Sequence, residues 1–176
     1  LTDPLTGLPN IRALEEYLET HPDAKVCILR MDNLEFLSRH YGILMRVHCK
    51  RTIATSLQPL LQKDEKLFQL PGSELVLVLL GPEIAERLQH MVDRLNSSKI
   101  FWNNAGLDIE FGASWGMVEN GEKLHHTLGQ LSWLAEQASG AQNVLALTNS
   151  LEAASGQTTE RVLMLARIKH ALETDQ

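Results

Sequence analysis

Apolar residues crowd most densely between Lys66 and Leu80, where Lys-Leu-Phe-Gln-Leu is followed by Pro71-Gly72-Ser73 and then by Glu-Leu-Val-Leu-Val-Leu-Leu. Proline presets φ at about −65° and glycine takes positive φ without steric cost, so the pattern predicts two strands joined by a tight turn. Leu75 to Leu80 is apolar at every position, as in a strand buried on both faces. The hairpin is therefore expected in the middle of a sheet.

Elsewhere the spacing alternates between the two periods. Leu1 to Asn10 is turn-rich, and Ile11, Leu14 and Leu18 then repeat at helical spacing. Pro22-Asp23 interrupts the chain, Val26 to Met31 reads as a strand, and Asp32-Asn33 ends it. Leu34, Leu37, Tyr41 and Leu44 predict a helix, which Gly42 should bend before a second helix running to about Gln62. Gly81-Pro82 stops the hairpin and places proline in the first turn of a helix whose apolar face is Ile84, Leu88, Met91, Val92 and Leu95. A single strand is expected from Leu107 through Trp115 to Val118, closed by Gly121. A helix follows on Leu124, Leu128, Leu131 and Leu134, capped by Ser139-Gly140, then a last strand at Val144, Ala146 and Thr148. Leu151 to Thr159 reads as a linker and Arg161 to Leu172 as a further helix. Hairpins mixed with crossovers indicate an α+β fold with a mixed sheet.

Composition narrows the function classes. The chain has 176 residues, 44% hydrophobic and 22% charged, enough for one substantial core, and no apolar run long enough to span a bilayer. A net charge of −6 leaves no basic stripe for a phosphate backbone, so nucleic acid is not expected as a partner. Cys27 and Cys49 lack framework spacing and read as reduced thiols, which points to the cytosol. The chain opens on Leu1, as expected of a piece of a longer protein, with the cytosolic part of a membrane-anchored protein as the alternative and no direct membrane contact expected from this segment.

Four local strings resemble one family. Asp3-Pro4-Leu5-Thr6-Gly7-Leu8-Pro9-Asn10 is similar, almost letter for letter, to the opening motif of GGDEF domains, which make cyclic di-GMP from two GTP molecules. Phe111-Gly112-Ala113-Ser114-Trp115-Gly116 resembles the family's Ser-x-Gly strand, and Gly140 to Val144 stands where its last helix turns into the final strand. Pro71-Gly72-Ser73-Glu74-Leu75 occupies the place of the signature Gly-Gly-Asp/Glu-Glu-Phe turn. The resemblance implies a nucleotide cyclase-like fold: a central, largely antiparallel mixed sheet surrounded by helices. It covers Leu1 to about Thr148.

The same resemblance implies a site that this chain no longer spells. Nucleotidyl chemistry of this kind uses Mg²⁺ held by carboxylates. The first metal-binding carboxylate aligns with Arg30 and the one in the turn with Ser73; Glu74 is retained, and Asp32 lies two residues past Arg30. Two unit charges about 4 Å apart interact by about 4 kcal/mol at an effective dielectric of 20, so replacing attraction by repulsion here outweighs the one surviving carboxylate. An ion pair of Arg30 with Glu74 or Asp32 is the simpler reading of that residue. Pro71 stands where the family has a glycine, and it removes an N–H and excludes positive φ. The guanine-reading positions align with Ser38 and Val47, the basic phosphate-binding positions with Gln137 and Ala141, and the Arg-x-x-Asp inhibitory motif with Gln62 and Glu65. No catalytic, nucleotide, metal or inhibitory site and no cofactor is expected.

Other features read more plainly as structure. His48 with Cys49, and His125-His126, lack a second ligand cluster. Trp115 and Trp133 are expected in the core, Trp102 in a polar turn, and Glu15, Glu16 and Glu19 on a solvated helix face. Residues 1–150 are thus expected to form a degenerate GGDEF domain. Residues 151–176 resemble the linker and connector helix to a downstream EAL phosphodiesterase domain, which this domain would support or regulate. A nucleotide-sensing module, an interaction scaffold and residual cyclase activity are the alternatives, and a homodimer is a further candidate partnership.

Overall fold

A computed structural model describes residues 1–118 and 123–147. The chain opens with a closed loop in which Asp3 Oδ2 accepts from the Thr6 amide (2.8 Å) and hydroxyl (2.6 Å), while Gly7 takes φ +75° and bonds back to the Asp3 carbonyl. Thr2 bridges Pro9, and Asn10 Oδ1 caps helix α1 (Ile11–Thr20) by accepting from the Ala13 amide. Strand β1 (Lys25–Met31) leads to α2 (Leu34–Tyr41) and α3 (Ile43–Leu57), separated by Gly42 at φ +94°. A 3₁₀ turn (Gln58–Leu60) precedes β2 (Lys66–Gln69) and β3 (Glu74–Leu79). Helix α4 (Ile84–Asn96), the small pair β4 (Ile100–Trp102) and β5 (Ala105–Leu107), β6 (Phe111–Met117), α5 (Leu124–Ser139) and β7 (Val144–Ala146) complete the order.

The main sheet runs β2-β3-β1-β6-β7, antiparallel except for the β6–β7 pair. The fold is α+β with helices on both faces. Alternation along β1 sorts them: Val26 and Ile28 face α1 and α5, whereas Cys27, Leu29 and Met31 face α3 and α4. Both faces are dry, so Leu75 to Leu79 are fully buried, as their unbroken apolar run requires.

Several expectations need correction. The centre of the sheet is β1 rather than the hairpin, because β3 is followed outward by β2 alone. The strand expected from Leu107 to Val118 is broken: Leu107 pairs with Ile100 in the small hairpin, and β6 starts at Phe111, whose amide and carbonyl bond the Asn96 side chain. Pro82 lies before α4, whose N-cap is Glu83 in a left-handed conformation. Helix α5 does end at Ser139 with Gly140 as its C-cap, but Gly140 is right-handed (φ −62°) and positive φ falls on Gln142. Trp133 is 37% exposed, and Trp102 is half-buried on β4 beside His48 rather than in a turn. Thr148, Gly121, the linker and the last predicted helix lie outside the described residues.

One glycine sets how closely the layers approach. A Cβ on Gly112 of β6 would lie 2.4 Å from the Ser139 amide nitrogen and 2.7 Å from the Ala138 carbonyl carbon. Because both are backbone atoms of α5, no rotamer change relieves the contact. Gly112→Ala is expected to destabilise the fold by about 2 kcal/mol or more, read as a fall in the urea midpoint, whereas Gly129→Ala, with open space around it, should leave the midpoint unchanged or raise it.

Candidate functional site

Antiparallel register brings the signature turn and the end of β1 together. Arg30 stands directly opposite Glu74 on β3 and Gly112 on β6, so all three project to the α5 face. The Arg30 guanidinium donates to Glu74 Oε2 at 3.3 Å and to Asp32 Oδ1 at 3.0 Å. Both expected pairings therefore form at once. From α5, the Ser132 hydroxyl lies 2.9 and 2.7 Å from the two Glu74 oxygens. Arg30 and Glu74 side chains are only 20% and 11% exposed, so the pair is shielded from bulk water. Burial weakens the guanidinium's hold on its proton, but the Asp32 hydrogen bond and the charges of Glu74 and Asp32 more than reverse that.

These residues do not fit a divalent cation. Mg²⁺ requires free carboxylate oxygens in an octahedral arrangement, and Glu74 and Asp32 are already engaged by a fixed positive charge. Ser73 offers no substitute: its side chain is buried with no hydrogen-bond partner for Oγ, while its carbonyl accepts from the Met31 amide at 2.8 Å. Among the described residues no cluster of three or more metal-ligating side chains occurs.

The turn is fixed by contacts that the sequence did not announce. Gly72 takes φ +73°, next to the exposed Pro71. On the preceding side, Lys50 of α3 is 2% exposed; its Nζ donates to the Leu70 carbonyl and lies 3.4 Å from Gln69 Oε1. The Pro9 carbonyl of the opening loop accepts from the Gln69 amide at 2.7 Å. Burial, followed by the charge of Arg46, pulls the Lys50 ammonium down to about 8, against opposing pulls from Asp3 and Glu74. A lysine amid Met45, Cys49, Ile53 and Leu57 was the legible signal for this anchor.

The remaining positions are dispersed. Ser38 on α2 donates to the Glu35 carbonyl at 2.8 Å, and Val47 is half-buried on α3. Gln137 is half-buried on α5, and Ala141 is exposed beyond it. Glu65 has a fully buried carboxylate bonded to Arg87 Nη2 (2.6 Å) and Nη1 (2.7 Å), to the Leu80 amide (2.8 Å) and to the Gln62 amide (2.7 Å). Gln62 itself is exposed. Burial raises the proton affinity of Glu65, but the Arg87 and backbone hydrogen bonds overcome it and hold the carboxyl below its ordinary value. At this position the acid clamps β2, β3 and α4 instead of facing a ligand.

The family described as "Diguanylate cyclase, GGDEF domain" matches residues 1–142. The chain is 59% identical over 174 residues to the "Probable cyclic di-GMP phosphodiesterase PdeA" of Escherichia coli K12, covering 98% of this chain and 24% of that protein. It is 29% identical over 180 residues to the "Cyclic di-GMP phosphodiesterase PdeF" of the same organism, covering 97% and 23%. The chain thus spans about a quarter of the length of these relatives. Among solved structures, a diguanylate cyclase/phosphodiesterase from Caldicellulosiruptor saccharolyticus superposes with a TM-score of 0.69 at 17% identity, over 82% of this chain and 93% of that one, a likeness of fold.

Two titrations test the buried groups. Glu65→Ala leaves the Arg87 guanidinium half-enclosed without its partner and should cost about 3–5 kcal/mol in urea unfolding. With Glu65 depressed in the folded state, its contribution is complete above the unfolded carboxylate value of about 4.3 and is lost as pH falls through the lower folded value. Lys50 is also depressed, so its burial penalty is full below about 8 and disappears as pH rises towards the unfolded value of about 10.4. The stability of wild type relative to Lys50→Met should therefore increase between those limits.

Proposed function

This chain belongs to the GGDEF family, and from that premise we propose that it is a regulatory GGDEF domain without cyclase activity, coupled to an adjoining cyclic di-GMP phosphodiesterase (EAL) domain. The observation that carries the reading is the guanidinium of Arg30, paired with Glu74 and Asp32 where the family would place a metal ion. Three further departures support it. Ser73 cannot ligate as a carboxylate does, Pro71 removes a backbone donor from the turn, and Val47 offers nothing to the edge of a base. In this reading residues 1–150 are the domain and residues 151–176 lead towards the phosphodiesterase.

The assignment to a phosphodiesterase-linked protein draws on the names of PdeA and PdeF, and the share of those proteins outside this chain leaves room for the second domain. A rigid, closed site suits a domain that transmits orientation rather than turnover. GTP with Mg²⁺ is expected to give no cyclic di-GMP by mass spectrometry, and Arg30→Asp alone should not restore synthesis because Ser73, Pro71 and Val47 remain. Turnover by the purified wild-type protein would overturn the inactive assignment. In the full-length protein, Glu74→Gln should alter the rate of cyclic di-GMP hydrolysis several-fold; a parent protein that hydrolyses none would remove the phosphodiesterase coupling.

A further inference from the structure

Helix α3 is apolar on two sides. Its inner side buries Met45, Cys49, Ile53 and Leu57 completely, yet Ile43 and Leu44 at its start are 60% and 67% exposed and Val47 is half-buried. An amphipathic surface helix should present polar residues outward, so the outer side of α3 is patterned for contact with something. The neighbouring elements extend it. Phe36 on α2 is 72% exposed, and Phe101 on β4 is 61% exposed. One turn beyond Leu44, His48 Nε2 donates to the Phe101 carbonyl at 3.0 Å while its ring lies 5.4 Å from that of Trp102, which joins α3 to the small hairpin.

The charge of this region is opposite to that of the chain. Residues 34–57 present the exposed Arg39 and Arg51 and the half-buried Arg46 against a single acid, Glu35, with Lys50 buried on the inner side, in a protein of net charge −6. Neither Arg46 nor Arg51 pairs with a carboxylate among the described residues, unlike Arg30 and Arg87. Further along α3, Arg51 lines a cleft of about 500 Å³ with Thr6, Leu8, Ala54, Thr55 and Pro59, between the helix and the opening loop. The surface thus starts as an apolar shoulder and ends in a concave slot with a positive side chain.

We propose that the outer side of α3, from Leu44 through Val47, His48 and Arg51 to the cleft, with Phe101 beside it, is a docking surface for an amphipathic protein helix whose apolar stripe is flanked by Asp or Glu. Leucine-sized side chains would cover Leu44, Val47 and Phe101, and an acidic flank would meet the exposed Arg51, which gives both attraction and register. The concave end favours a rod-shaped polypeptide over a flat bilayer, and the pairing of apolar with basic residues disfavours an equally basic partner. Val47 aligns with a guanine-reading position, so this surface rests on the reading that no nucleotide occupies that place.

The test uses the full chain, ¹⁵N-labelled, titrated with a synthetic helix of about 18 residues carrying a leucine stripe flanked by glutamates. Saturable binding is expected, with shifts centred on Leu44, His48, Arg51 and the indole of Trp102. The same helix flanked by lysines should bind at least about tenfold more weakly, and Leu44→Glu and Arg51→Glu should each weaken the acidic helix by about tenfold. Both substitutions are at exposed positions, and retained amide dispersion verifies the fold. Equal binding of the two helices, or shifts elsewhere, would overturn the proposal. Binding of phosphatidylglycerol vesicles without binding of the acidic helix would assign the surface to lipid, and self-association abolished by Leu44→Glu would assign it to a second copy; either outcome also overturns it.

Discussion

The register of three strands is the constraint on which the site depends. With β1 antiparallel to both neighbours, Arg30 is flanked by Glu74 on one side and Gly112 on the other. The missing side chain at Gly112 lets α5 come down onto the sheet, and that approach brings Ser132 within hydrogen-bond reach of both Glu74 oxygens. A one-residue slip of β3 against β1 would turn Glu74 to the opposite face, where α3 and α4 form a dry core. The ion pair and the close packing of α5 therefore specify the same register. Neither would be well placed without the other.

Most elements were legible because short-range chemistry determines them. Gly42 at φ +94° is the bend between α2 and α3, the helical spacing from Ile11 is α1, and the unbroken apolar run of β3 is buried on both sides. What sequence spacing did not contain was the order of strands. An all-apolar strand identifies two covered faces, but it is silent on whether one or two strands lie beyond it, and here only β2 does. The break between Leu107 and Phe111 was hidden because alternation continues through it, while the side chains of Asn96 and Asn33 bond the backbone and redirect the chain.

At the site, the identities of the altered residues were readable and their partners were not. Arg30 in place of a carboxylate predicts an ion pair with a nearby acid, and both Glu74 and Asp32 serve. Ser132 is distant in sequence and carried no local signal. Arg87 likewise gave none, since an arginine on an exposed-looking helix position is ordinary until Glu65 is seen beneath it. The Lys50 anchor could have been found: a lysine placed between turns of buried residues must lead its ammonium to an acceptor, and the Leu70 carbonyl, just before proline, is one that the turn leaves open.

On the proposed reading of Arg30, the difference between losing a ligand and gaining a cation decides how reversible the change is. Had the first position become alanine, Glu74 and Asp32 would remain as acids near a vacant place, and their mutual repulsion would still favour a metal ion. Arg30 instead pairs with both without any ion, offsetting one of their two charges, and its permanent charge makes that pairing independent of metal concentration. Removing Arg30 would leave Glu74 almost enclosed beneath α5 with a serine hydroxyl as its remaining partner, a costly arrangement for a carboxylate. The arginine has thereby become part of what holds β1, β3 and α5 together. On the proposed reading, a return to metal binding would require replacing the charge, the serine of the turn and the proline together, because each intermediate keeps a buried group without a partner or a turn without its donor.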